Sequence, residues 1–433
     1  MKKRLLCILF VCLFFQFGST IVNATAFNIN FDTTTESISL VNLDTDTVVY
    51  DKNPNQRRGP ASLTKIMTYI VVVDNVKDLE GTIVDVKDET LDLLLGTGSS
   101  LSGIEKGDKL SVYQLLHCLM IPSGNDAALV LADYVGNGDI SSFVDLMNQK
   151  AKELGCNDTH FMNPHGLTDP NHYSTANNIA KMTKYAMGLP HFSEITNQVV
   201  STILGEDRVL VTTNKLIDKV RGGDYYYKYA KGIKTGHVDE TTGYCLVSTA
   251  INEGYTYMCV ALGSPADGGV AIDSKNLYRW AFNSLEIKQI VDSTTPVGEV
   301  KINYAWNKDS TILVPKNSLM TILPASVSSS SIEIIPDIPE SVNAPITAGQ
   351  KIGTATLRYA NQDLGTVDLL ASESVPINYF VFFIDIVGSI ILSKWFIIAF
   401  IITIILLAIY ILLINYYNKN KKRKSNPRRY KKY

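Results

Sequence analysis

Residues 395–414 form a run of twenty whose only polar side chain outside the aromatics is Thr403. As a helix rising about 1.5 Å per residue, such a run matches a hydrocarbon core of roughly 30 Å, so this end of the chain is expected to cross a membrane. Nine Lys/Arg residues and no acid follow between 419 and 433, which by the positive-inside rule places that end in the cytoplasm. A basic tail also suits nucleic acid or anionic lipid, but topology alone accounts for it. At the other end, Met1-Lys2-Lys3-Arg4 leads into an apolar stretch at 5–15 that is too short to span. Val22-Asn23-Ala24 or Ala24-Thr25-Ala26 then supplies small residues for cleavage, as in a secretory signal. What lies between is expected to act outside the cytoplasm, anchored by a single pass.

A length of 433 residues suggests two domains plus appendages. The net charge of -2 conceals an asymmetry: setting aside three basic residues at 1–4 and nine at 419–433 leaves 28 of the 40 Lys/Arg against all 42 acids. An acidic body argues against a nucleic-acid partner. Cys118, Cys156, Cys245 and Cys259 show no C-x-x-C spacing, and the six histidines show no ligand spacing, so no metal and no cofactor is expected. Cys245 and Cys259 fall on apparently adjacent strands and are placed to pair, although buried free thiols are the preferred reading in a chain this long.

Residues 37–50 read as a hairpin around Asp44-Thr45-Asp46, and 76–155 as mainly helical, with 91–95 and 112–116 as apolar faces. A helix is expected at 177–187, strands at 209–213 and 225–235, and a hairpin joining 243–250 to 255–262 around Asn252-Glu253-Gly254. A closing helix at 273–282 packs Leu277, Trp280 and Ala281. Early strands, a helical middle and late strands make an α+β domain whose two chain ends share one sheet. From 286 the pattern changes: Val300, Ile302, Tyr304 and Trp306 alternate, and short runs are punctuated by Pro315 and Pro324, as in a small all-β domain. The expected divisions are a signal peptide at 1–26, a main domain at 27–285 and the β domain at 286–375. A juxtamembrane segment at 376–394, a transmembrane helix at 395–414 and a basic tail at 415–433 follow. Residues 379–392 suit either an amphipathic helix on the outer membrane surface or the entry to the span.

Chemistry concentrates on Pro60-Ala61-Ser62-Leu63-Thr64-Lys65, which opens an apolar helix and contains the chain's one Ser-x-x-Lys. Three residues apart, Ser62 and Lys65 share a helix face, and a desolvated lysine can serve as base to a serine nucleophile. Alone the motif is weak, since a solvated lysine after an N-terminal serine is common. Two further triplets change that: Ser123-Gly124-Asn125 and Lys234-Thr235-Gly236. In this order they are the signature of the penicillin-recognising serine enzymes. With Pro122-Ser123-Gly124-Asn125-Asp126 and Asn163-Pro164-His165-Gly166-Leu167, the chain resembles the D-alanyl-D-alanine carboxypeptidase branch of the low-molecular-weight penicillin-binding proteins over roughly residues 37–371.

That resemblance implies a penicillin-binding/β-lactamase-like domain, an antiparallel sheet with helices on both sides. It implies a membrane-anchored serine peptidase that trims terminal D-alanine from peptidoglycan stem pentapeptides, with β-lactams as covalent inhibitors. Ser62 is expected to form the acyl-enzyme, Lys65 to take its proton, and Ser123 to relay it to the leaving amine. Asn125 should hold substrate and the Lys65 amine, while Lys234 and Thr235 receive the substrate carboxylate. Gly236 should let substrate lie against its strand, and the His237 N–H should join that of Ser62 as the oxyanion hole. Ser274-Lys275-Asn276 and Ser341-Val342-Asn343 also fit Ser-x-Asn but follow the Lys-Thr-Gly, against the family order. Glu153 and Asn157 imitate a β-lactamase deacylation loop, with Cys156 where a leucine is expected. Some relatives carry arginine where this chain has Thr213 before Asn214. A β-lactamase and a β-lactam receptor are the competing functions. A protein partner of the β domain is left open.

Overall fold

The structure, a computed structural model, describes residues 27–306, 308–360 and 362–424. The expected signal peptide and the tail beyond residue 424 lie outside them. Five strands, β1 (Ser37–Asn42), β2 (Thr47–Lys52), β3 (Ala230–Gly236), β4 (Tyr244–Asn252) and β5 (Tyr255–Ser264), form an antiparallel sheet in the order β2-β1-β5-β4-β3. The early hairpin therefore pairs with the late one, as the strand pattern implies. β4 and β5 are joined by Glu253 and Gly254, both at positive φ, the backbone required of a tight two-residue hairpin turn.

Period-two alternation divides the sheet's side chains between two cores. Met258, Val260 and Leu262 of β5 face one, and Tyr257, Cys259 and Ala261 the other. The first core is helical: α1 (Thr64–Asn75), α2 (Val112–Met120), α3 (Asn125–Val135), α4 (Ile140–Glu153) and α5 (Ala176–Met187) all contribute. α1 is buried without a break from Thr64 to Val72, as befits a central helix apolar on nearly every side. α2 opens with a reciprocal capping box between Ser111 and Gln114. The second core lies under α6 (Gly269–Ser284), where Leu277, Tyr278 and Ala281 are buried and Trp280 only partly so. The buried Tyr278 hydroxyl donates to the Ser248 carbonyl at 2.7 Å and accepts from Cys259 N at 3.0 Å, tying α6 to β4 and β5.

Several expected elements are shorter than their apolar patterns. Within 76–155 the helix at 91–95 shrinks to Asp88–Asp92, and Leu93 and Leu95 are exposed because glycines at 96 and 98 turn the chain at positive φ. The strand expected at 209–213 is only Leu210–Val211, paired with Val200–Ser201. The strand expected from 225 begins at Ala230, after a short helical turn at Gly223–Tyr225.

By compactness the chain divides in two. One unit contains the described residues up to Ile290 with Met320–Glu333 and Arg358–Leu364; the other contains Val291–Leu319, Ile334–Leu357 and the described residues from Gly365. The second unit carries most of a six-stranded sheet in the order Glu333–Asp337, Lys351–Tyr359, Gln362–Ala371, Ser310–Pro315, Gly298–Asn303, Ser341–Asn343. Ile302, Ala344, Ile346, Ala371 and Val375 form a small core there. The alternation expected through Trp306 ends at Asn303, since Tyr304 turns to positive φ and Trp306 is exposed. Two helices close the described chain, α7 (Tyr379–Ile391) and α8 (Lys394–Lys424). Among the described residues α8 alone is long and apolar enough to cross a membrane.

All four described cysteines are free and buried. Cys245 belongs to the first core and Cys259 to the second, so they point to opposite faces of the sheet and do not pair. Burial pushes the thiols of Cys118 and Cys259 up to about 12 and those of Cys156 and Cys245 to about 11. Because the thiolate is the reactive form, these cysteines are expected to resist alkylation at pH 8 in the folded protein. All four should react once it is unfolded in denaturant, as counted by mass spectrometry.

Candidate active site

Ser62 sits in a short helical turn, Ala61–Leu63, that leads straight into α1. The turn is entered through Ala61 at φ +49, a backbone region that side-chain-bearing residues seldom occupy. From the first turn of α1, the Lys65 amine reaches three oxygens: Ser62 Oγ at 3.0 Å, Asn125 Oδ1 at 2.6 Å and the His165 carbonyl at 2.9 Å. An ammonium has three protons to give, so the charged form fills all three contacts. A neutral amine fills two and leaves its lone pair for the Ser62 hydroxyl, reversing that bond so that serine donates.

The surroundings favour the neutral form. Lys65 is fully buried, and burial above all, then the positive charge of Lys234, lowers its proton affinity well below that of an ordinary lysine; Asp126 opposes weakly. Lys234 is itself buried and is lowered to about 7 by desolvation. Its amine donates to the Thr235 carbonyl at 2.8 Å.

A cavity of about 290 Å³ is lined by Ser62, Ser100, Ser123, Thr213, Thr235, Gly236 and His237, among others. All three triplets thus contribute to one cleft. Ser123 is held at φ +67, and its hydroxyl bonds neither Ser62 nor Lys65. Gly124 fixes this turn by donating its N–H to the Cys118 carbonyl at 2.9 Å. Asn125 starts α3 with its backbone N–H on the Ser100 carbonyl at 2.9 Å. Gly236 has a reason beyond room for substrate: a Cβ there would lie 3.0 Å from Ala61 Cβ and 3.1 Å from Ser62 N. The strand can approach the Ser62 turn because that position carries no side chain. The His237 ring stacks on Tyr244 at 4.0 Å.

Three groups contribute beyond the roles expected from sequence. The His165 carbonyl completes the Lys65 shell, and only the Asn-Pro-His-Gly-Leu run hinted at it. Buried Asp126 accepts from Ser102 N at 2.7 Å and Ser102 Oγ at 2.9 Å, anchoring the loop that bears Ser100; its position directly after Asn125 was the available signal. The Thr213 hydroxyl bonds that of Thr235, so the residue standing in place of arginine still faces the cleft. The rejected motifs stay apart: Ser274 is buried against Cys259 in α6 and Ser341 lies in the second unit. Glu153 is an exposed partner of Lys150 and Gln149. A larger cavity, about 800 Å³, contains no residue of the three triplets. Among the described residues, no group of His, Cys, Asp and Glu is placed to hold a metal ion.

A serine beside a buried lysine, on a five-stranded antiparallel sheet with helices on both faces, defines the penicillin-recognising class of serine enzymes. Residues 23–266 match the family described as D-alanyl-D-alanine carboxypeptidase, and residues 286–376 match the C-terminal domain of penicillin-binding protein 5. The chain belongs to the D-alanyl-D-alanine carboxypeptidase family. It is 29% identical to D-alanyl-D-alanine carboxypeptidase DacF of Bacillus subtilis (strain 168), over 81% of this chain and 88% of that one. Identity to DacD of Escherichia coli (strain K12) is 30%, over 78% and 85%. The crystal structure of penicillin-binding protein 5 from Haemophilus influenzae superposes with a TM-score of 0.67 at 26% identity, covering 81% of this chain and 99% of that one.

Lowered lysines make stability depend on pH. Above about 7 the folded protein holds fewer protons on Lys234 than the unfolded chain, whose lysines titrate near 10.4. Its contribution therefore rises with pH through that window, by on the order of 1 kcal/mol per pH unit. Urea denaturation at pH 7 and 9.5 should show a rise in wild type that Lys234→Met reduces.

Proposed function

We propose that Ser62 is the nucleophile of a membrane-anchored D-Ala-D-Ala carboxypeptidase acting on peptidoglycan stem pentapeptides. The observation that carries this reading is the Lys65 amine, 3.0 Å from the Ser62 hydroxyl and depressed in proton affinity. As Ser62 Oγ bonds to the carbonyl carbon of the penultimate D-alanine, its proton passes to the Lys65 lone pair. The carbonyl oxygen takes up negative charge between the N–H groups of Ser62 and His237. When the tetrahedral intermediate collapses, the peptide C–N bond breaks and the leaving amine takes a proton through Ser123. Water then adds to the ester, with Lys65 again accepting a proton, and the acid is released with Ser62 restored.

Lys234 and the hydroxyl pair Thr213–Thr235 receive the terminal carboxylate, and Asn125 Nδ2 takes a substrate carbonyl. Binding a carboxylate favours the charged form of Lys234, whose titration near 7 in the empty site is then drawn upward. A β-lactam presents an acylating carbonyl and a carboxylate in a similar relation, which makes it a covalent inhibitor. The β-lactamase alternative lacks support from Glu153, which sits on the surface away from Ser62.

In this reading residues 27–285 are the catalytic domain and 286–375 a small β domain. Residues 376–394 approach the bilayer, 395–414 cross it, and 415–433 lie in the cytoplasm, so catalysis is extracytoplasmic. Incubation with penicillin should add one adduct mass, located on Ser62 and absent from Ser62→Ala. Release of D-alanine from a D-Ala-D-Ala pentapeptide should fall about 10²- to 10⁴-fold in Lys65→Ala, the usual loss with a general base. An unmodified wild-type mass would overturn the reading.

A further inference from the structure

Behind the nucleophile turn, away from the cleft, a buried chain of polar groups ends on the peptide bond that precedes Ser62. The Met162 N–H donates to His172 Nδ1 at 3.1 Å. A backbone N–H can only donate, so Nδ1 is an acceptor and the ring proton resides on Nε2. His172 Nε2 lies 2.8 Å from Thr64 Oγ1, which in turn donates to the Ala61 carbonyl at 2.8 Å. Every donor in the chain is thereby committed to one direction. Thr64 is fully buried and His172 is 4% exposed. Burial lowers the imidazole to about 4, opposed by Asp169 and reinforced by His160, so the neutral tautomer persists at neutral pH.

The Ala61 carbonyl is an unusual anchor point. Ala61 is held at φ +49, a strained conformation that persists only when its surroundings enforce it. Thr64 supplies both its hydroxyl and its backbone N–H to this oxygen. On the other side, a Cβ at position 166 would stand 1.9 Å from Ala61 O and 3.0 Å from Ser62 N, so the Gly166 backbone closes the enclosure.

Because the Ala61–Ser62 peptide is planar and trans, its C=O and N–H point in opposite directions. Holding the oxygen from behind therefore aims the Ser62 N–H forward. Among the described residues that N–H has no hydrogen-bond partner, and it lies against Gly236, next to His237. Hydrogen bonds accepted by a peptide oxygen also polarise the same peptide's N–H and strengthen it as a donor.

We propose that His172 is a positioning residue for the oxyanion hole, acting through Thr64 and the Ala61 carbonyl to aim and polarise the Ser62 N–H. This rests on the reading of Ser62 as nucleophile. It differs from support of the fold because it acts on a group whose strength as a donor matters only to a developing oxyanion.

The test uses the full chain in detergent, with variants Thr64→Val, Thr64→Ser and His172→Gln. Three quantities are measured: kcat and KM for a D-Ala-D-Ala peptide, melting temperature, and the infrared stretch of the ester carbonyl in the penicillin acyl-enzyme. Thr64→Val keeps the shape and removes the hydroxyl. It is expected to lower kcat roughly 10- to 100-fold with KM changed by less than about twofold, somewhat short of deleting an oxyanion donor outright. The ester carbonyl should shift to higher frequency as its hydrogen bonding weakens, and Thr64→Ser should restore both. His172→Gln, which retains a donor near Nε2, should fall between. A wild-type carbonyl frequency in folded Thr64→Val, or a kcat loss matching only its unfolded fraction, would overturn the proposal. If Thr64→Val does not fold, an unshifted carbonyl in His172→Gln would do the same. Absence of any Ser62 acyl-enzyme in wild type would instead remove the nucleophile reading beneath it.

Discussion

Everything in the catalytic body bears on keeping one amine dry. Lys65 occupies a place in α1 where a leucine would be unremarkable, and its charge has almost no access to water. A cation so placed must lose its proton or find full compensation. The three oxygens it meets come from its own helix turn, from the start of α3 and from the loop after Phe161. None is a carboxylate. The shell meets the amine's hydrogen bonds with neutral oxygens only, which sets this lysine apart from a structural ion pair.

The enclosure has a cost in conformation, visible where the chain comes closest. Ala61 and Ser123 adopt positive φ, and glycines at 166 and 236 stand where a methyl group would strike the Ser62 turn. These positions bring four separate segments to one point: the entry to α1, the α2–α3 turn, the 163–167 loop and the end of β3. The sheet supplies rigidity behind them, since its two faces are each sealed by an apolar core.

The second unit follows simpler rules. Its short strands enclose a modest core, and α7 departs from it with an Asn378 cap on the Phe380 and Val381 N–H groups. The one acid of α7, Asp385, accepts from the Tyr304 hydroxyl at 3.0 Å.

Much of this was legible along the chain. The long apolar helix near the end of the chain, the α+β order, the hairpin at Glu253-Gly254 and the three triplets depend on spacing and on turn chemistry, which are local properties. Patterns misled where they reported apolarity without partners, as at Leu93, Leu95 and Trp306, whose side chains find no core. Cys245 and Cys259 looked placed to pair because strand adjacency can be read from sequence, whereas the face each one occupies depends on register. By itself the sequence determined that Ser62 and Lys65 share one helix turn, because covalent geometry binds them there. How strongly that lysine holds its proton was decided only by tertiary structure. Its proton affinity is set by exclusion of water and by the charge on Lys234, and the groups that impose both come from parts of the chain up to 169 residues away.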